Sequence, residues 1–344
     1  MSNEADTLTV NGRLGDSDAV ARRKDGRLVS VVEFAGWILL ALLVLAPAFF
    51  GSRYVVYLGT LLALQATLAV SLNIVMGFAG QFALAHAAFY GFGAYASAIF
   101  IRDGGLGFWS SLPPTLALAA ALAAAVGYPS MRLTGGIHFA LITFAFGELL
   151  RLVTANLHDL TGGPQGMQLN YAPGAVFGID FSSARGMYYL AAGVLALSLT
   201  VALAIRRSDF GRSLVAIRED EVLAGSLGID VTAYKVAAFT VASVVAALAG
   251  AVYGPFVGFI SPDMMSASDS ISVVGMLIVG GIGTTSGPIL GTLVFVALPE
   301  LLRVAKLYRL VLLGLIIVVT VLFVPKGLAG LFGRLVAARP RRGD

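Results

Sequence analysis

Gly77-Phe-Ala-Gly-Gln-Phe-Ala-Leu-Ala-His-Ala-Ala-Phe-Tyr-Gly-Phe-Gly-Ala-Tyr-Ala-Ser97 decides the fold. The stretch is too apolar and too small-residued for an ordinary soluble loop. It also holds too much glycine for an unbroken helix, because each interior Gly is about 1 kcal/mol worse than Ala. Ala79, Ala83, Ala87 and Gly91 recur at every fourth position, a stripe that lets helix backbones approach closely in lipid. Two polar side chains, Gln81 and His86, sit in its middle. The spacing predicts a membrane helix that breaks near Gly77–Gln81 and restarts near His86. Broken backbone at membrane depth survives only where protein buries it or a watery cavity bathes it. A transport path is therefore sought here first.

Composition places the rest of the chain in the same environment. Hydrophobic residues make up 58% and charged residues 12%, the latter about half of the roughly 25% usual in soluble domains. Apolar runs lie at about 31–50, 54–76, 86–101, 112–131, 138–157, 188–205, 234–257, 271–281, 288–301 and 308–324, each to be compared with the ~20 residues that a crossing needs. The predicted class is an all-α, polytopic integral membrane protein with about 8–10 transmembrane helices and two Gly-broken units. The net charge of +4 arises from basic residues flanking apolar runs, not from one patch, so no nucleic acid is expected as partner. With no cysteine, disulfides, thiolate metal sites and a cysteine nucleophile are excluded.

Residues 1–30 read as a disordered cytoplasmic tail, 31–325 as a transmembrane domain and 326–344 as a basic cytoplasmic tail. Arg22, Arg23, Lys24 and Arg27 precede the first run, and Lys326, Arg334, Arg339, Arg341 and Arg342 follow the last. Positive charge marks the cytoplasmic side, so both termini are expected inside, with an even number of crossings. The polar start and the many later runs argue against a cleaved signal peptide. Ten crossings fit, and eight fit if the runs near 271–301 form one re-entrant element. Pro113 and Pro114 are read as the start of the fourth run. Residues 158–187 are expected to form an outer loop and 206–233 a charged cytoplasmic loop.

A second break, Gly280-Gly-Ile-Gly-Thr-Thr-Ser-Gly-Pro288, separates two short apolar pieces, with Gly283, Gly287 and Gly291 continuing the small-residue pattern. Two broken segments, one in each half of the chain, point to a transporter built from repeats with its path at the breaks. By helix count the two units run in the same direction, and an odd change in the count would invert one, so their relative orientation stays open. The candidate path residues are Asn73, Gly77, Gly80, Gln81, His86, Gly280, Gly281 and Gly283. A helix restarting near His86 or Pro288 presents free N–H groups and suits a carboxylate-bearing solute; glycines that merely permit close helix crossing are the plainer alternative. For His86 an interhelical hydrogen bond is the favoured role. Glu148 and Arg151, three apart, are read as a local ion pair near the outer surface. Within 206–233, Leu214, Ile217, Val222, Leu223 and Leu227 give patchy helical spacing against a charged face.

Motifs for covalent chemistry are missing. None of the four lysines precedes Ser or Thr, so there is no phosphate-binding Gly-x-x-x-x-Gly-Lys-Ser/Thr loop. No His-Glu-x-x-His occurs, and Ala224-Gly-Ser226-Leu-Gly228 lacks the first glycine of a nucleophile elbow. The chain is not expected to be an enzyme.

Four stretches resemble a known family. They are Leu72-Asn-Ile-Val-Met-Gly-Phe-Ala-Gly-Gln-Phe-Ala-Leu-Ala-His-Ala-Ala-Phe-Tyr-Gly-Phe-Gly-Ala-Tyr95, Arg132-Leu-Thr-Gly-Gly-Ile-His-Phe-Ala-Leu-Ile-Thr-Phe-Ala-Phe-Gly-Glu148, Phe210-Gly-Arg-Ser-Leu-Val-Ala-Ile-Arg-Glu-Asp-Glu221 with Leu227-Gly-Ile229, and Gly280-Gly-Ile-Gly-Thr-Thr-Ser-Gly-Pro-Ile-Leu-Gly291. In order and spacing, over about residues 50–325, they look like the permease subunits of ABC importers for branched-chain amino acids, specifically the M-type subunit of the leucine–isoleucine–valine system. The resemblance implies a bacterial or archaeal inner-membrane complex. Its other members would be a second related permease, two ATP-binding subunits and an extracytoplasmic solute-binding protein docking on outer loops that include 158–187. No cofactor is expected on this chain; ATP and Mg would sit on the partner ATPases. The resemblance makes 206–233 the segment that couples to an ATPase, with Phe210, Arg212, Arg218, Glu219, Glu221 and Gly228 as candidate residues. Importer permeases often carry Glu-Ala-Ala-x-x-x-Gly there; here Glu221 and Gly228 are seven apart and both alanines are missing. The implied mechanism is alternating access. Rival readings are the same importer class for urea, amides or simple sugars, a passive channel or ion-coupled carrier, and a membrane enzyme.

Overall fold

The computed structural model describes residues 52–133, 136–176, 179–301 and 327–330, with single positions 314 and 318. The expected N-terminal tail, the run at 31–50, the run at 308–324 apart from 314 and 318, and the basic C-terminal tail apart from 327–330 lie outside these residues. Five described helices are long and apolar enough to cross a membrane, and two shorter apolar ones lie late in the chain.

Helix α1, Arg53–Asn73, is largely apolar. Its hydroxyls bond back to its own carbonyls: Thr60 to Val56, Thr67 to Ala63 and Ser71 to Leu68. That satisfies side-chain polarity internally, as a lipid-embedded helix requires. The helix widens into a π-turn at Ile74–Phe78, then leaves helical geometry until α2, His86–Arg102, begins. The break and restart lie where the sequence placed them.

Helix α3 runs Phe108–Leu133, and Pro113, Pro114 and Pro129 all lie inside it. The start expected at the prolines is corrected. Gly107 marks it instead, its carbonyl accepting the Ser111 N–H at 3.0 Å. Helix α4, Ile137–Asn156, follows. The connection between α4 and α5, expected as an outer loop, is more ordered than a plain loop. It holds one helical turn at His158–Thr161, a 3₁₀ turn at Gly163–Gln165 and three two-residue strands: β1 Met167–Gln168, β2 Ala175–Val176 and β3 Ile179–Asp180. Strands β2 and β3 form a hairpin. Trp109 pins the connection to α3 by donating to the Pro173 carbonyl at 2.8 Å.

Helix α5, Ala184–Arg207, returns through the bundle. The charged segment then forms two helices, α6 Asp209–Glu219 and α7 Glu221–Ser226, before α8 Val231–Val257. Ser208, Asp220 and Asp230 are the N-caps of α6, α7 and α8, each accepting from backbone N–H groups of the following turn. Three capping side chains within 23 residues are why the segment makes sharp corners instead of one amphipathic helix. The helical spacing expected across it holds only for Leu214 and Ile217, both fully buried. Val222, Leu223 and Leu227 are 84%, 57% and 74% exposed, because the corner at Asp220 turns α7 outward.

After α8, strand β4, Phe259–Ile260, pairs antiparallel with β1. A 3₁₀ turn at Pro262–Met265 leads into α9, Ala267–Gly280, and α10, Gly287–Leu301, follows the second break. Gly287 and Gly291 lie in the α9–α10 contact: an added Cβ would fall 2.4 Å from the Gly281 carbonyl oxygen and 1.7 Å from that of Met276. The core centres on α8 packed against α1, α2 and α3, with Phe89, Phe139 and Phe239 meeting edge-to-face inside it. Helices α1 and α9 enter from the end where Tyr57 stacks on Phe256 and where the Ala267 N–H donates to Glu148. Both reach their breaks at the opposite end, beside α6. The two units therefore run in the same direction.

Candidate functional site

The two breaks touch. Asn73 closes α1, and its side-chain carbonyl accepts the Gly283 N–H at 2.8 Å while its amide donates to the Thr284 carbonyl, also at 2.8 Å. One side chain thus pairs two backbone groups of a segment that has left the helix, the condition for broken backbone in a membrane. A Cβ on Gly77 would lie 2.1 Å from the Asn73 Oδ1 and 2.8 Å from the Gly283 nitrogen. Only glycine leaves room for the two breaks to approach this closely.

Arg218, on α6, seals the contact from the charged end. Its Nη1 donates to the Gly77 carbonyl at 2.7 Å. Its aliphatic stem crosses Gly80, whose φ of +68° suits glycine and whose Cβ position lies 2.4 Å from the Arg218 Cγ. Gln81 donates to the Glu221 Oε1 at 3.4 Å, and the same carboxylate pairs with Lys235, only 3% exposed. Arg206, at the end of α5, donates to the Thr285 hydroxyl at 2.9 Å. The first break is thus held by α6, α7 and the start of α8, and the second by Asn73 and the end of α5.

Of the expected path residues, Asn73, Gly77, Gly80, Gln81 and Gly283 converge on this junction. Gly280 and Gly281 lie just beyond it, at the α9–α10 turn, where a Cβ on Gly280 would meet the Gly287 carbonyl oxygen at 1.9 Å. His86 stands apart. Its ring is buried and neither nitrogen has a hydrogen-bond partner among the described residues, so the interhelical hydrogen bond expected for it is not formed among them. Of the expected coupling residues, Arg218 and Glu221 point into the junction. Phe210 stacks on Tyr234 with ring centroids 5.2 Å apart and docks α6 on α8. Glu219 pairs with Arg218, and Arg212 pairs with Asp209 on the exposed face. Gly228 lies in the turn before α8, with nothing within 4 Å of its Cβ position among the described residues. The Glu148–Arg151 pair is formed at 2.8 Å, and Glu148 also accepts the Ala267 N–H at 3.1 Å, tying α4 to the start of α9.

A separate cavity of about 200 Å³ opens between α1, α2, α8 and α9, lined by Gln65, Leu68, Ala87, Tyr90, Tyr253, Met264, Asp269, Ser272, Val273 and Met276. None of the expected path residues lines it. The start of α9 lies well inside the bundle, because Met264 and Met265 pack on Gly91, eleven residues before the end of α2, or ~16 Å at 1.5 Å per residue. Asp269 precedes the apolar run at 271–281 and is not among the expected path residues. Ser266-x-x-Asp269 is a helix-start signature, and the Ser266 hydroxyl does accept the Asp269 N–H. Reading it would have drawn the acid into the helix. Among the described residues no group of three or more His, Asp or Glu side chains is placed to hold a metal.

Comparison with known proteins agrees with this architecture. Residues 54–321 match the family described as branched-chain amino acid transport system / permease component. The chain is 34% identical over 315 residues, 84% of its length and 74% of the relative's, to the high-affinity branched-chain amino acid transport system permease protein LivM of Escherichia coli (strain K12). It is 25% identical over 296 residues, 79% of its length and 92% of the relative's, to the permease protein LivH of the same system and strain. To the ribose import permease protein RbsC of Bacillus subtilis (strain 168) it is 30% identical over 148 residues, 39% of its length and 46% of the relative's. No solved structure matches.

Proposed function

The chain belongs to the family of permease components of branched-chain amino acid transport systems, and on that footing we propose that it is the membrane-spanning permease of an ATP-driven importer for leucine, isoleucine and valine. It is a non-enzymatic membrane subunit. Its partners are a second related permease, two ATP-binding subunits that carry the ATP and Mg, and an extracytoplasmic solute-binding protein. The end bearing α6 and α7 faces the cytoplasm, and the outer connection between α4 and α5 receives the binding protein.

One observation carries the mechanism: Arg218 of α6 is bonded to the carbonyl of Gly77 in the first break. Helix α7 turns Val222, Leu223 and Leu227 outward, an apolar strip suited to a partner's groove. Movement imposed on α6 and α7 by a closing pair of ATPases would pass through Arg218 and Glu221 into the first break, and through Asn73 into the second. Helices α1, α2, α9 and α10 then shift together, and the space between them opens to one side and then the other. The sugar permease relative matches less than half of this chain, so the branched-chain reading has the wider support.

The test is uptake of labelled leucine into vesicles holding the full complex. Uptake that requires both ATP and the binding protein is expected. Equal uptake without ATP would end the importer reading.

A further inference from the structure

We propose that Asp269 receives the ammonium group of the transported solute inside the cavity between α1, α2, α8 and α9. This rests on the importer reading and adds to it the chemical group that the permease itself recognises.

The cavity has the parts that a zwitterion of amino-acid size needs. Asp269 lines it in the first turn of α9, at a depth set by the packing of Met264 and Met265 on Gly91. Among the described residues no cation pairs with its carboxylate. An ionisable side chain at membrane depth faces a protein interior or a watery cavity and marks a pathway by default. Tyr90 lines the same cavity, is only 4% exposed, and its hydroxyl has no hydrogen-bond partner among the described residues. Buried hydroxyls are rarely left unpaired, so a guest in the cavity is the natural acceptor or donor. Gln65 adds a neutral amide able to meet a carboxylate, and Leu68, Val273 and Met276 form an apolar wall for a branched side chain. One anionic group, neutral donors and an apolar wall match an ammonium, a carboxylate and an aliphatic side chain respectively. Asp269 is exposed on the isolated chain, so the cavity is open on one side of the bundle.

The cysteine-free sequence permits a direct test. In the full complex in nanodiscs, the single cysteine of a Ser272→Cys variant of this chain is labelled with a cationic and an anionic methanethiosulfonate of similar size, and labelling is read on this subunit alone. The cationic reagent is expected to react at least about tenfold faster, the order of effect of a full charge a few ångströms away in a partly screened site. Adding Asp269→Asn should abolish that preference, and adding Asp269→Glu should retain it, which separates lost charge from lost folding. Leucine and 3-methylbutylammonium should protect the cysteine, and 4-methylpentanoate, which lacks the ammonium, should not. An unchanged reagent preference in Asp269→Asn, or equal protection by 4-methylpentanoate, would overturn the proposal. If the wild-type complex fails to take up leucine while 3-methylbutylammonium still protects, the choice of solute falls and the ammonium site stands.

Discussion

The Arg218 guanidinium donates to the carbonyl of Gly77 at 2.7 Å across 141 positions of sequence. This joins a charged surface helix to a break in a membrane helix. Removing the guanidinium should therefore harm coupling before it harms folding. A hydrogen bond to a charged group contributes about 1.5–3 kcal/mol, so Arg218→Ala is expected to lower ATP-driven leucine uptake by ten-fold or more in vesicles. Arg218→Lys should recover part of it, because lysine keeps the charge but loses the planar fork. Uptake unchanged in Arg218→Ala would remove the bond from the mechanism.

Gly80 offers the same test from the other partner. Its φ of +68° and the Arg218 Cγ 2.4 Å from the Cβ position mean that Gly80→Ala meets both backbone strain of about 1–2 kcal/mol and a clash. Gly136 has φ +58° with nothing within 4 Å of its Cβ position among the described residues, so Gly136→Ala meets backbone strain without a clash there. Gly80→Ala should reproduce the uptake loss of Arg218→Ala, and Gly136→Ala should leave uptake near wild type.

Asn73 holds the two breaks to each other. Asn73→Ala leaves the Gly283 N–H and the Thr284 carbonyl without their side-chain partner, which should destabilise the chain by about 1–3 kcal/mol. Thermal unfolding in detergent reads this directly. Asn73→Asp keeps an acceptor for Gly283 but sets a buried carboxylate oxygen against the Thr284 carbonyl, and should destabilise at least as much as alanine.

Glu221 neutralises Lys235, which is 3% exposed. Taking away one partner of a buried pair leaves an uncompensated charge, worth about 3–5 kcal/mol when both are buried. Glu221 is half-exposed, so a smaller loss is expected for Glu221→Gln. The double variant Glu221→Gln with Lys235→Met should regain most of the lost melting temperature. A double variant no more stable than Glu221→Gln would show that the pair is not the source.

The outward strip on α7 predicts a different phenotype. Val222 and Leu227 are 84% and 74% exposed, so Val222→Asp or Leu227→Asp should leave the melting temperature of this subunit unchanged. Co-purification of the ATP-binding subunits should drop sharply in both. Full retention of those subunits would place their contact elsewhere.

The break at Gly77–Gln81, the restart at His86 and the second interruption before Pro288 were legible in the sequence, because glycine's backbone entropy and proline's missing N–H act locally. The local pair Glu148–Arg151 was legible for the same reason. The start of α3 was misplaced because a proline pair resembles a helix start wherever it falls, and Gly107 carries the competing signal. The outward turn of α7 was missed because one capping side chain, Asp220, outweighs apolar spacing that continues through it.

Taken alone, the order of residues determined what each segment can do: which runs suit lipid, where the backbone must break, and which stretch carries charge. It could not determine which breaks meet, because Asn73 and Gly283 lie 210 positions apart and nothing local prefers that pairing over another. Packing made that choice. It brought two glycine-thinned segments within hydrogen-bond reach, set Arg218 over them, and carried the start of α9 deep enough for Asp269 to line a cavity with side chains of α1, α2 and α8. Long-range contacts depend on how whole helices stack, and helix stacking is a property of the folded chain.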